Sequence, residues 1–240
     1  MNEDTTRMSR RRLGRRAAEA AALLLMGESV APAAEPAKVT SEVDRAAAAY
    51  AAAIAAAPEF VEARLAAAEL ALARGAADEA ARIAGDGLAR SPGNVALWRM
   101  SGRAQLARRD GAGAAAAFAH ALALAPADAA LHFDHGVALQ RAGDATGAAR
   151  AYQRALTFAP DMAAADFNLG VLFQQQGNHR AAIAAYRNAL AGDPAHAAAY
   201  KNLGEALFAD GQIDAWQANF RAFEARCPTA LALAVYALEA

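Results

Sequence analysis

Six prolines, Pro58, Pro92, Pro126, Pro160, Pro194 and Pro228, stand at a fixed step of 34 residues. Chance does not readily place six of eight prolines on one period, and a period of this length means stacked units. Other positions repeat with them. Twelve residues before each proline lie Ala46, Ala80, Ala114, Ala148, Ala182 and Trp216. Eight before lie Tyr50, Ala84, Phe118, Tyr152, Tyr186 and Phe220, and five before lie Ala53, Gly87, Ala121, Ala155, Ala189 and Phe223. Seventeen before lie Gly75, Arg109, Gly143, Gly177 and Gly211, and twenty-four before lie Ala68, Gly102, Gly136, Gly170 and Gly204.

Each position has a mechanical reason. The glycine seventeen back falls where a left-handed residue ends a first helix. The proline closes a second helix, since it has no amide to donate and turns its predecessor away from the helical region. Asn94 and Asp128 follow their prolines by two residues and can cap the next helix. The small residues let backbones approach, and the aromatic fills the gap beside them. Alanine makes up roughly a third of the chain, and it favours helix and disfavours strand. The expected class is therefore all-α: antiparallel helix pairs whose stacking buries a continuous core.

These residues resemble the tetratricopeptide repeat (TPR) family in period, small positions, aromatic and proline. The resemblance covers residues 41 to about 238 and implies an α-α superhelix. Within an expected array of 39–240, a half repeat 41–60 precedes full repeats 61–94, 95–128, 129–162, 163–196 and 197–230, with a trailing helix 231–240. The clearest unit is 163–196, with Leu169, Gly170, Phe173, Gly177, Ala182, Tyr186, Ala189 and Pro194. Repeat 61–94 has Ala84 for the aromatic and Gly87 for the alanine, so looser packing is expected there. Trp216 and Phe223 replace small residues, which predicts altered packing after residue 215. Leu231 to Leu238 is almost wholly apolar, a face suited to self-association.

Residues 1–38 are read as a basic tail and linker. Six arginines between Arg7 and Arg16, against Glu3 and Asp4, give +4 there and leave −5 for the rest of a chain of net charge −1. Gly27, Pro32 and Pro36 argue for a linker. Ser9-Arg10-Arg11-Arg12-Leu13 resembles a twin-arginine signal, but Glu19 breaks the apolar run behind it. The expected location is cytoplasmic, with periplasmic export through residues 1–33 as the alternative. The near-balanced charge excludes a generally basic nucleic-acid binder, and the tail lacks interleaved aromatics.

Catalytic and metal chemistry find little support. His132 and His135 can share a helix face, but they take slots held by Trp98 and Tyr200, and by Leu169 and Leu203, in other units. Gly111-Ala112-Gly113 sits in a turn after a helix, not a strand. The five serines lie outside any nucleophile elbow, and the single cysteine, Cys227, reads as a structural thiol. No enzyme activity, cofactor or metal is expected.

Binding is better supported. In TPR arrays the first helix of each unit lines the concave surface, so the resemblance implies a peptide-binding groove. Its candidate residues are Arg99, Arg103, Phe133, Asp134, Gln140, Phe167, Asn168, Val171, Gln174, Lys201, Asn202 and Glu205. Asn168 and Asn202 hold one point in successive units, each in Asn-Leu-Gly, and an amide can both donate to and accept from a peptide backbone. This is similar to the asparagine ladder in the TPR arm of O-GlcNAc-transferase-like proteins, although Asp134, Met100 and Ala66 hold the earlier rungs. The carboxylate-clamp type fits poorly, because Glu205 stands one turn from Lys201 and would repel a peptide carboxylate. The expectation is a non-catalytic scaffold for a protein or peptide ligand. The alternative is the substrate-recognising arm of an O-GlcNAc-transferase-like glycosyltransferase.

Overall fold

The structure, a computed structural model, describes residues 36–227, with side chains from Glu42 onward. The described residues form eleven helices and no strand. Helix α1 (Pro36–Ala56) stands alone as a second helix. Five pairs follow: α2 (Val61–Ala73) with α3 (Ala77–Leu88), α4 (Val95–Ala107) with α5 (Gly111–Leu124), α6 (Ala129–Arg141) with α7 (Ala145–Phe158), α8 (Ala163–Gln175) with α9 (His179–Gly192), and α10 (Ala197–Ala209) with α11 (Ile213–Arg226). The all-α helix-pair class expected from the repeat is the class found. The chain divides into two compact units, Met1–Pro126 and Ala127–Ala240. Within each, every helix packs on its chain neighbours, and the first helices α2 and α4, and α8 and α10, also touch.

One boundary differs from expectation. Helix α1 begins at Pro36, inside the segment 1–38 read as a linker. A proline in the first turn of a helix removes an amide that has no partner in any case, so Pro36 opens this helix. The export reading of residues 1–33 and the trailing helix 231–240 lie outside the described residues.

The punctuation is local chemistry. Within the pairs, Gly75, Gly143, Gly177 and Gly211 take φ of 75°, 85°, 71° and 75°, the left-handed turn that stops each first helix. Arg109 is forced into the same turn at φ 63°. Asn94 and Asp128 accept the backbone N–H of Leu97 and Leu131 at 3.0 and 3.1 Å, capping first helices. Asp110, Asp144 and Asn178 do the same for second helices, accepting from Gly113, Gly147 and Ala181 at 2.8, 2.8 and 3.2 Å. Gly111-Ala112-Gly113 is thus an ordinary capped helix start.

The core is made by rings laid on glycines. Phe118 of α5 covers Gly102, Tyr152 of α7 covers Gly136, and Tyr186 of α9 covers Gly170. A Cβ at these glycines would stand 2.6, 2.6 and 2.5 Å from a ring carbon. All three rings are fully buried, each burial contributing about 1.5–3 kcal/mol. In the first full repeat Ala84 and Ala68 share one buried cluster, small against small. In the last pair the nearest atoms to a Cβ at Gly204 are Asn219 Nδ2 at 3.3 Å and Trp216 Cδ1 at 3.6 Å. Helix α11 has no buried residue, and Trp216 and Phe220 remain 39% and 46% exposed, so the packing changes after residue 215.

The same substitution should therefore have different effects along one repeat position. Gly170→Ala is expected to destabilise by about 1–3 kcal/mol, because a rigid ring must move. Gly204→Ala is expected to cost at least about 1 kcal/mol less than Gly170→Ala, because the methyl meets only the Asn219 amide at 3.3 Å and helix propensity offsets that contact. Thermal melts compare the two, and equal losses would contradict the ring-on-glycine packing. Arg109→Gly should stabilise by about 0.5–1 kcal/mol by relieving the left-handed backbone, read as a higher denaturant midpoint at unchanged slope.

Candidate binding face

Ten of the twelve residues expected to line a groove lie on α6, α8 and α10, in the unit Ala127–Ala240. There the structure builds the same set twice. Phe133 lies tilted against Tyr152, with ring centres 5.7 Å apart, and Phe167 against Tyr186 at 5.8 Å. The Tyr152 hydroxyl donates to Gln140 Oε1 at 2.9 Å, and the Tyr186 hydroxyl to Gln174 Oε1 at 2.6 Å. From the next repeat, Asn168 hydrogen-bonds the Tyr152 phenol and Asn202 Nδ2 donates to the Tyr186 phenol at 3.4 Å. The tyrosine rings over Gly136 and Gly170 therefore carry their hydroxyls to groups on two successive first helices.

Burial is the main reason that both phenols are pushed up to about 12. The bond from Asn168 or Asn202 opposes the rise in each case. Both phenols stay protonated, and so remain donors, across physiological pH. The asparagines are half-buried, and Asn202 commits one N–H to its tyrosine. That amide retains a second N–H and a carbonyl oxygen with fixed orientation. This coupling is not visible in the sequence, where the tyrosines read only as gap fillers. The signal available is tyrosine at 152 and 186 where position 118 has phenylalanine.

The other expected residues are placed as follows. Gln174 Nε2 donates to Glu205 Oε2 at 3.2 Å, and Lys201 Nζ lies 3.9 Å from Glu205 Oε1. Glu205 thus offsets the lysine a carboxylate clamp would need. Val171 packs against the core shared by α9 and α10, and Phe167 also stacks on His196 at 4.6 Å. Asp134 is half-buried on α6, at the point held by Asn168 one repeat later. In the unit Met1–Pro126, Arg99 is half-buried on α4, and Arg103 Nη1 lies 3.5 Å from Glu69.

His132 stacks on Phe158 with centres 5.5 Å apart. His135 is half-buried, and burial first, then His132, hold its pKa below the usual value, with Asp144 opposing. Among the described residues, no three side chains of metal-ligand type gather. Cys227 is buried, its Sγ 3.4 Å from the Ala195 carbonyl oxygen. No helix among the described residues is long and apolar enough to cross a membrane.

A second recurring device is hidden from the sequence. Arg64, Trp98, His132, Asp166 and Tyr200 share one repeat position. Arg64 donates through Nε and Nη2 to the Pro58 carbonyl at 3.0 and 2.8 Å. Trp98 Nε1 donates to the Pro92 carbonyl at 2.8 Å, and the Tyr200 hydroxyl to that of Pro194 at 3.4 Å. The side chain thus pins the loop between repeats. Asp166 as a carboxylate has nothing to donate. It is buried, which raises its pKa, while a hydrogen bond with Asn188 opposes the rise. A carboxyl whose pKa is raised by folding stabilises most below its unfolded value, and that contribution is lost as pH rises through the folded value. Asp166→Asn should therefore stabilise near pH 7, by about 1 kcal/mol, and change little near pH 4. Melts at the two pH values check this, and an equal shift at both would contradict it.

The comparisons with known proteins fit this geometry. A profile described as tetratricopeptide repeat matches residues 40–95, 99–163, 133–178 and 167–215. No curated protein matches the chain in sequence. Among solved structures, a crystal structure of MamA is 23% identical with a TM-score of 0.63, covering 66% of this chain and 93% of its own. YrrB, described as a TPR protein with an unusual peptide-binding site, is 22% identical with a TM-score of 0.57, covering 68% and 84%. TTC0263, a thermophilic TPR protein in Thermus thermophilus, is 21% identical with a TM-score of 0.57, covering 71% and 93%. At these identities the structures share the fold, and the repeat profile, matching most of the chain, carries the assignment: the chain belongs to the tetratricopeptide repeat family.

Proposed function

We propose that the chain is a non-catalytic protein-interaction scaffold that holds an extended peptide on the first-helix face of the unit Ala127–Ala240. The observation that carries this reading is the repeated set of Phe133, Gln140, Tyr152 and Asn168, then Phe167, Gln174, Tyr186 and Asn202. Two amides at one repeat spacing, each locked by a phenol, offer a donor and an acceptor to main-chain groups without reading side chains. The half-buried Phe133 and Phe167 supply apolar contact beside them. Locking matters because a pre-oriented side chain loses less freedom on binding. The description of YrrB, a chain of the same fold, as having a peptide-binding site supports the reading.

The test is selection of a displayed random-peptide library on the full chain. Affinities of the selected peptides are then measured on the double variant Asn168→Ala with Asn202→Ala. A loss of about tenfold or more is expected, from two amide pairs of about 0.5–1.5 kcal/mol each. Melts of the variant are recorded alongside, because each asparagine also bonds a tyrosine. Unchanged affinity in a folded variant would remove this face from the account.

A further inference from the structure

The unit Met1–Pro126 holds a cavity of about 760 Å³ among α1, α2 and α3, far in sequence from the asparagine face. Its apolar wall is made by Ala47, Ala51, Ile54, Ala67, Ala71 and Ile83. Its charged lining is four arginines, Arg64, Arg74, Arg82 and Arg90, against two acids, Glu79 and Asp86, a net of +2. Two of the arginines are already matched: Arg74 lies 3.4 Å from Asp44, and Arg82 lies 3.2 Å from Asp86. Arg90 makes no ion pair among the described residues. Arg64 is only 6% exposed, and its hydrogen-bond acceptor among the described residues is the neutral Pro58 carbonyl.

The later repeats resolve the same position differently. Trp98 crosses to its second helix and stacks on His120 at 4.4 Å, His132 stacks on Phe158, and Asp166 bonds Asn188. In repeat 61–94 the counterpart of His120 and Asn188 is Asp86, already bonded to Arg82 at 3.2 Å, and the counterpart of Phe158 is Arg90, a second cation, so Arg64 closes on neither. Burial, then Arg90, lower the pKa of Arg64, with Asp86 alone opposing. A guanidinium so deep and in no ion pair among the described residues, with Asp86 already bonded to Arg82, is costly unless a further anion completes it.

We propose that this cavity binds an amphipathic carboxylate of small-molecule size, its head on Arg64 and Arg90 and its aliphatic chain along the alanine and isoleucine wall. The volume lies in the range of small-ligand pockets, roughly 300–1,000 Å³. The guanidinium fork matches a carboxylate in two parallel hydrogen bonds. An acidic partner peptide would present its carboxylates at the rim, whereas a flexible acyl chain lets the head reach buried Arg64.

Calorimetric titration of the full chain with decanoate tests this, with decanol and acetate as probes lacking charge or chain, and a hexaglutamate peptide as the macromolecular alternative. One decanoate per chain is expected, with decanol and acetate each weaker by at least roughly tenfold. Arg90→Ala, an exposed residue without an ion partner among the described residues, should weaken decanoate roughly tenfold to hundredfold. Ala51→Phe fills the cavity from an exposed position and should abolish binding while every arginine stays in place. Arg64→Met repeats the charge test at the buried site, with its fold checked by circular dichroism. Absence of decanoate binding, equal binding by decanol, undiminished binding to Ala51→Phe, or tighter binding of hexaglutamate would overturn the proposal.

Discussion

The aromatic ring packed against a glycine is the contact on which the rest depends. Alanine-rich helices bury little area per residue, so their pairs need a few large contacts to hold a defined distance. Phe118, Tyr152 and Tyr186 provide them, and each fits only because Gly102, Gly136 or Gly170 has no side chain. Remove the ring, as at Ala84, and small residues meet across α2 and α3. Overfill it, as with Trp216, and the last helix keeps its large residues half in solvent.

The same contact links the core to the binding face. A tyrosine in that place extends its hydroxyl beyond the ring's resting site, to the edge where consecutive first helices meet. The hydroxyl donates to a glutamine of its own repeat and accepts from an asparagine of the next. Packing within one pair thereby sets the orientation of an amide on the following one. This is how a nearest-neighbour solenoid presents an ordered row of groups without long-range contacts.

Much of this is legible from the chain, and the reasons differ by residue. The prolines, the left-handed turns at Gly75, Gly143, Gly177 and Gly211, and the caps Asn94 and Asp128 act within a few residues of themselves, so their spacing alone reveals them. Pro36 misleads because the same residue that breaks a helix interior is tolerated at its first turn. The bonds from Tyr152 and Tyr186 are not legible, since they depend on the lateral distance between pairs. The same holds for the carbonyls of Pro58, Pro92 and Pro194, each held by a side chain six residues on. Looser packing in repeat 61–94 is expected at Ala84, yet Ala84 is buried and the cavity opens elsewhere, where Arg64 and Arg90 line it together and Asp86 is taken up by Arg82.

The most direct measurement is a double-mutant cycle between the glycine and its ring, combining Gly170→Ala with Tyr186→Leu and reading unfolding free energies. If the ring occupies the space above the glycine, the flexible leucine makes room for the new methyl. The alanine then costs at least about 1 kcal/mol less in that background than beside the tyrosine. Two costs that simply add, within about 0.5 kcal/mol, would mean that the residues do not meet and that the stacking described here is wrong.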